Sequence, residues 1–254
     1  MNSYFNIVRK LNKRNSKLYF LKKDALSTVV ISKISYLVTP LFIFFKLSPN
    51  IITLINFLVS LLSIILIIQL NAQLFAWGIF LYFLYRVLDY CDGSVARYFK
   101  TSSFYGRLID AFSDIFFLAF LILSVSFYNF KTFQNENLLI LGVIASIFAI
   151  FDTFIYDKYS SLARWSNEEN KTKIIPYLRK KIYPRITETC LDIYSLCFFI
   201  LPFLVNNKFY FEKVILLLFV TIIAQSVQNL IFHFVVAYKS FGVSAKDKNY
   251  YTKK

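Results

Sequence analysis

The stretch that decides the reading begins Asp89-Tyr90-Cys91-Asp92-Gly93-Ser94-Val95-Ala96-Arg97. It passes through eight further residues and resumes as Gly106-Arg107-Leu108-Ile109-Asp110-Ala111-Phe112-Ser113-Asp114. Asp89, Asp92, Gly93 and Ala96 fall at i, i+3, i+4 and i+7, which is one face of a helix. Gly106, Asp110 and Asp114 fall at i, i+4 and i+8, again one face. A short connection makes the two helices antiparallel neighbours, with their acidic stripes opposed. Gly93, Ala96 and Gly106 leave those stripes bare, with room for a ligand or a close backbone approach.

The surroundings of this stretch are those of a membrane protein. Of 254 residues, 57% are hydrophobic and only 17% charged, and the mean hydropathy is +0.56. A soluble domain of this size needs more polar surface. Six apolar runs approach the length that a bilayer requires: Ile51–Leu70, Leu74 to about Asp89, Gly106–Tyr128, Leu138–Tyr156, Ile186–Val205 and Val214–Ala237. Ala25–Leu47 is apolar but carries Lys33 and Pro40. It reads as an amphipathic interfacial helix with a proline kink, a seventh span being the alternative.

The expected fold is therefore all-α: an integral membrane bundle of six transmembrane helices with an N-terminal amphipathic interfacial helix. Its divisions are a basic arm and interfacial helix over 1–48, the six-helix domain over 49–240 and a tail over 241–254. Met1–Asp24 lacks the apolar run and small residues of a cleavable signal, so none is expected.

Charge sets the orientation. Of the 29 Lys and Arg, 26 lie before the first run, around 90–107, in 157–185 or after Ala237; Lys131, Lys208 and Lys213 remain for the other side. The positive-inside rule puts both termini and the acidic stretch in the cytoplasm, and a bacterial inner membrane is the expected location. The net charge of +15 is read as basic loops facing anionic lipid, so membrane lipids are expected partners and nucleic acid is not. Cys91, Cys190 and Cys197 form neither a CxxC pair nor a His/Cys cluster, which argues against a disulfide framework or a zinc site.

Four carboxylates gathered at one membrane boundary are functional candidates by default. They cannot all remain ionised side by side without protons or cations between them. Hard oxygen ligands favour Mg²⁺, Mn²⁺ or Ca²⁺. Two such ions can grip a pyrophosphate and stabilise a leaving oxygen, and a carboxylate left partly free can take the proton of an attacking hydroxyl.

The pattern DxxDGxxAR(x8)GxxxDxxxD resembles the signature of the CDP-alcohol phosphatidyltransferase family, with every fixed position present. Ser48-Pro49-Asn50-Ile51-Ile52-Thr53 ahead of the first run and the six-span layout are similar too. The resemblance implies metal-dependent transfer of a substituted phosphate, such as phosphatidyl, from a CDP-linked donor to an alcohol, releasing CMP, in phospholipid or surface-glycolipid synthesis. It implies two Mg²⁺ or Mn²⁺ ions held by Asp89, Asp92, Asp110 and Asp114, with Asp114 also the general base. Gly93, Ala96, Arg97 and Gly106 would carry the cytidine diphosphate part, with Asn50 and Thr53 touching the same donor. Lys158 and Arg164 would hold a phosphate on the acceptor. CDP-diacylglycerol is the expected donor and a homodimer the expected assembly.

Alternatives stay open on the residues alone. A small group rather than the lipid could be CDP-linked. A cation transporter would also use intramembrane Asp, but these sit at one edge without an acidic ladder across the membrane; an inactive scaffold is the remaining reading. Outside the motif, Arg86 reads as a partner of Asp89 or a snorkelling side chain. Asp152 reads as a helix-pairing group, His233 as a helix contact, and Glu188 and Asp192 as acceptor-pocket residues or counter-charges to the basic loop.

Overall fold

The computed structural model describes residues 26–101, 104–170 and 185–241. The basic arm before Leu26, residues 102–103 and 171–184, and the tail after Phe241 lie outside the described residues. Within them the chain forms seven helices and no strand: α1 (Leu26–Phe44), α2 (Pro49–Ile68), α3 (Ala72–Phe99), α4 (Phe104–Phe133), α5 (Glu136–Asn170), α6 (Arg185–Leu204) and α7 (Lys208–Phe241).

Local chemistry sets the helix ends. Ser48 caps α2 in extended conformation, with Pro49 in the first turn, where its missing N–H costs nothing. Asn71 caps α3, accepting from the N–H groups of Gln73 at 2.8 Å and Leu74 at 3.2 Å. Lys100 closes α3 in the left-handed region at φ 58°, and the Thr101 N–H returns to the Ala96 carbonyl at 3.0 Å.

The cross-links between helices fix their directions. Ser63 Oγ on α2 donates to the Gly78 carbonyl on α3 at 2.7 Å, and Thr53 Oγ1 reaches Asp92 at 2.8 Å. As one partner rises in number the other falls, so α2 and α3 are antiparallel. A Cβ on Gly78 would stand 2.6 Å from Ile67 Cγ1 and 2.8 Å from the Ser63 carbonyl oxygen, so only glycine permits this approach. Phe75 packs on Tyr128 and Tyr85 on Phe117, which makes α3 and α4 antiparallel as the motif required. Asn135–Glu212 and Asp152–Asn229 share one sequence offset of 77 residues; α5 and α7 therefore run parallel. Phe75, Tyr82, Leu121, Phe198, Phe211 and Phe219 are fully buried in the main core, while Leu54, Phe80, Phe116, Ile147, Phe199 and Leu217 point outward. An apolar exterior around an interior that admits Ser63, Asn129 and Ser226 is the arrangement a lipid solvent selects.

Among the described residues six helices are long and apolar enough to cross a membrane, which makes this an integral membrane protein. The six differ in one member from those expected. Leu26–Phe44 qualifies by length and composition, whereas the apolar part of α6, Thr189–Leu204, is shorter. The difference follows from composition: α1 holds one charge, Lys33, while α6 opens on Arg185, Glu188 and Asp192.

The anchoring of α1 nevertheless suits a helix laid across the bundle end. Its first N–H groups, on Leu26 and Ser27, donate to the two carboxylate oxygens of Asp192 in α6 at 2.9 and 2.7 Å. Its middle meets Cys91 of α3 through the Ser35 carbonyl at 3.6 Å, and its far end turns directly into α2. All three contacts lie towards the end of the bundle where the acidic motif sits. Nineteen residues reach about 28 Å, enough to cross that end. Pro40 is accommodated within an unbroken helix, and Ile31 and Ile43 close over Val87, Cys91 and Val95 in a second small core.

Candidate active site

The opposed stripes of α3 and α4 meet. Asp89, Asp92 and Asp110 each offer a carboxylate oxygen within 4.8 Å of the other two. Asp92 is buried, and Asp89 and Asp110 are half-buried, so the cluster is walled rather than washed by solvent. Asp92 is oriented from α2: Thr53 Oγ1 donates to its Oδ2 at 2.8 Å. Among the described residues none of the four motif carboxylates closes an ion pair. Hard oxygens converging in a sheltered site, with no ion pair closed upon them, fit a divalent cation such as Mg²⁺ or Mn²⁺.

Asp114 stands outside this triad. One turn beyond Asp110 on α4, its Oδ1 accepts a hydrogen bond from the hydroxyl of Tyr85, which is buried on α3. The structure therefore brings three of the four expected carboxylates into one ligand set and gives the fourth a separate partner.

Beside the triad, the bare face of α3 receives the side chain of Arg97. Arg97 folds back along its own helix and donates to Ser94 Oγ at 3.1 Å, and a Cβ on Gly93 would lie 3.3 Å from its Nη1. Gly93 thus lets the guanidinium lie against the backbone. Ala96 and Gly106 are half-buried on the same flank.

A family model for CDP-alcohol phosphatidyltransferases matches residues 46–175, just over half of the chain. The chain belongs to the CDP-alcohol phosphatidyltransferase family. The matched segment begins just before α2 and takes in Thr53, the whole α3–α4 acidic pair and α5. This transferase thereby belongs to a group that joins a CDP-alcohol donor to an alcohol acceptor in phospholipid-type synthesis. No curated protein shows significant similarity to the chain as a whole.

The remaining expected site residues of the phosphatidyltransferase divide. Thr53, expected against the donor, is engaged with Asp92. Asn50 is exposed in the first turn of α2. Lys158 is exposed, its Nζ 5.4 Å above the Phe154 ring. Arg164 lies on α5 and Glu188 on α6, but their side chains lie outside the described residues. Asp152 on α5 accepts from Asn229 Nδ2 on α7 at 3.0 Å, the helix-pairing role expected of it. Asp192 caps α1, which neither of its two expected roles included. His233 is buried with Nδ1 2.7 Å from the Asn229 carbonyl oxygen, a helix contact.

Sequence reasoning missed Tyr85. It sits four residues before Asp89 in a chain with 18 tyrosines. Only its i−4 spacing to the motif, on the same face, distinguished it from a packing residue.

Proposed function

We propose that the chain transfers a phosphatidyl group from CDP-diacylglycerol to a polar alcohol at the cytoplasmic face of a bacterial inner membrane, releasing CMP. The observation that carries this reading is the convergence of Asp89, Asp92 and Asp110 from the two motif helices. These three, with Asp114, would hold two Mg²⁺ or Mn²⁺ ions. Such ions would neutralise the pyrophosphate and stabilise charge on the departing CMP oxygen. The chain's own groups do the rest. Gly93, Ala96, Arg97 and Gly106 seat the nucleotide, with Asn50 and Thr53 flanking it, while Lys158 and Arg164 approach the acceptor from α5. Asp114, held by Tyr85, takes the proton of the acceptor hydroxyl. That oxygen bonds to the phosphorus nearer the diacylglycerol, and the bond to the CMP oxygen breaks. Positioning supplies much of the rate.

The basic loops support the cytoplasmic orientation. A homodimer, with divisions near residues 48 and 240, completes the proposal. The test is CMP release by purified protein given CDP-diacylglycerol, Mg²⁺ and single acceptors. The expected result is CMP with at least one acceptor, abolished by a chelator and restored by Mg²⁺ or Mn²⁺. CMP only from small CDP-linked donors transfers the lipid to the acceptor side. CMP release that resists the chelator removes the metal mechanism. Cross-linking in native membranes reports the dimer.

A further inference from the structure

Asn56 lies on α2, one turn after Thr53. It is only 3% exposed, and its Oδ1 has no hydrogen-bond partner among the described residues. An amide oxygen left unpaired inside a membrane bundle destabilises the fold, because no lipid tail can satisfy it. The other polar side chains on the same buried stripe of α2 are satisfied: Ser60 donates to the Phe57 carbonyl and Ser63 to the Gly78 carbonyl, both at 2.7 Å. An isolated exception of this kind calls for a reason.

Its position supplies one. Thr53 meets Asp92 and Ser63 meets Gly78. Between these two cross-links the antiparallel register sets Asn56 level with Leu88 and Asp89. Around the axis of α2, at about 100° per residue, Asn56 falls between Ile52 and Thr53. Ile52 packs on Val87, Cys91 and Val95 of α3, and Thr53 touches the Asp92 carboxylate. The amide therefore faces α3 beside the acidic triad, one turn or about 4.5 Å deeper in the bundle than Thr53. Arg86, the basic side chain one turn before Asp89, is turned to Tyr82 Oη at 3.0 Å and does not supply the donor that Asn56 lacks.

Three carboxylates offering one oxygen each do not complete the octahedral shell of Mg²⁺, which keeps several waters when bound. Such waters are donors in need of acceptors. A neutral amide oxygen accepts from one of them without adding a further negative charge to the four acids of the motif. We infer that Asn56 is an outer oxygen of the cation site, its Oδ1 taking a hydrogen bond from water carried by a divalent ion on Asp89, Asp92 and Asp110. This rests on the reading of the triad as a cation site. Asn56 is thus a positioning residue, acting on the ion through water, and the group that weakens the metal-free fold strengthens the hold on the ion.

The test is calorimetric titration of Mn²⁺ alone into the full-length protein in detergent, without nucleotide or lipid substrate. Wild type is expected to bind Mn²⁺. Asn56→Leu should bind it about 10-fold more weakly, the lower range for loss of a partner outside the ligand shell. Asn56→Asp, which keeps an acceptor, should bind at least as tightly as wild type. Asp92→Asn is the control that the ion sits on the acids and should lose most of the binding. Metal-free Asn56→Leu should melt no lower than wild type, because leucine removes an unpaired buried polar group. Equal Mn²⁺ affinity in wild type and Asn56→Leu overturns the inference and leaves the cation site standing. Weaker binding accompanied by a lower metal-free melting temperature assigns the loss to packing and overturns it too, as does an Asn56→Asp variant that binds as weakly as Asn56→Leu. If Asn56→Leu does not fold, Asn56→Ala decides by Mn²⁺ affinity. No binding to wild type, or unchanged binding to Asp92→Asn, removes the cation site and the inference together.

Discussion

Asp114 and Thr53 show how far a single position can be read. Asp114 Oδ1 is held by Tyr85 while Asp89, Asp92 and Asp110 cluster without it, as suits a base that must meet an acceptor hydroxyl. Asp114→Asn should lower CMP release at least ~100-fold, the lower range for loss of a general base, with CDP binding falling much less than turnover. Full activity in that variant removes the base role. Thr53 orients Asp92 through one hydroxyl; Thr53→Val keeps the shape and removes the donor. Partners that orient metal ligands contribute about 10- to 100-fold in affinity. The half-saturating Mg²⁺ concentration for CMP release should therefore rise about 10-fold, and an unchanged Mg²⁺ titration dismisses the orienting role. The acids themselves were legible because spacing puts them on facing stripes. Tyr85 and the cap made by Asp192 were not, because a hydroxyl or carboxylate partner from another turn or helix leaves no periodic trace.

At the level of elements, hydropathy located the starts of five of the six expected runs to within two residues, and caps such as Ser48 and Asn71 explain where α2 and α3 start. The extension of α3 to Phe99 also follows from the motif, whose stripe needs a helix through Ala96. Length and composition weigh α1 and α6 the other way from the sequence reading, which takes α1 as interfacial and α6 as a span. Ser32, Ser35 and Thr39 are buried on α1 while Leu26, Leu37 and Leu41 point outward. An inverted helix of this kind looks like a span to any measure of length and composition. Its attachment is more telling. Asp192→Ala should cost about 1 kcal/mol by loss of an N-terminal cap and speed amide exchange at Leu26 and Ser27. Unaltered exchange there means the cap does not hold α1.

The described residues separate an acid-rich end, the proposed catalytic one, from an aromatic one. Phe75, Tyr128, Phe133 and Phe211 pack at the end remote from the motif, where Lys208 Nζ closes on the Phe133 carbonyl oxygen at 3.0 Å. With 26 of 29 basic residues assigned to the acidic end, a protease added to inverted membrane vesicles should remove a tag fused after Lys254. The same protease outside intact spheroplasts should leave it. Cleavage from the outer side reverses the orientation and places the site away from the cytoplasm. Charge alone supplies this expectation of polarity; it says nothing of the acceptor, because the family motif is confined to the α3–α4 pair.

The seating of α1 on Asp192 also orders events during biosynthesis. The carboxylate that receives the first N–H of this helix lies 166 residues further along the chain. Chains emerge from the ribosome N-terminus first, so α1 is made among the earliest segments yet gains that anchor only after α6 has been synthesised. The α3–α4 hairpin, made of consecutive helices, can bring its acids together before then. The acidic groups can thus gather before α1 is bridged over them, and a chain arrested before α6 would carry an α1 without its Asp192 anchor.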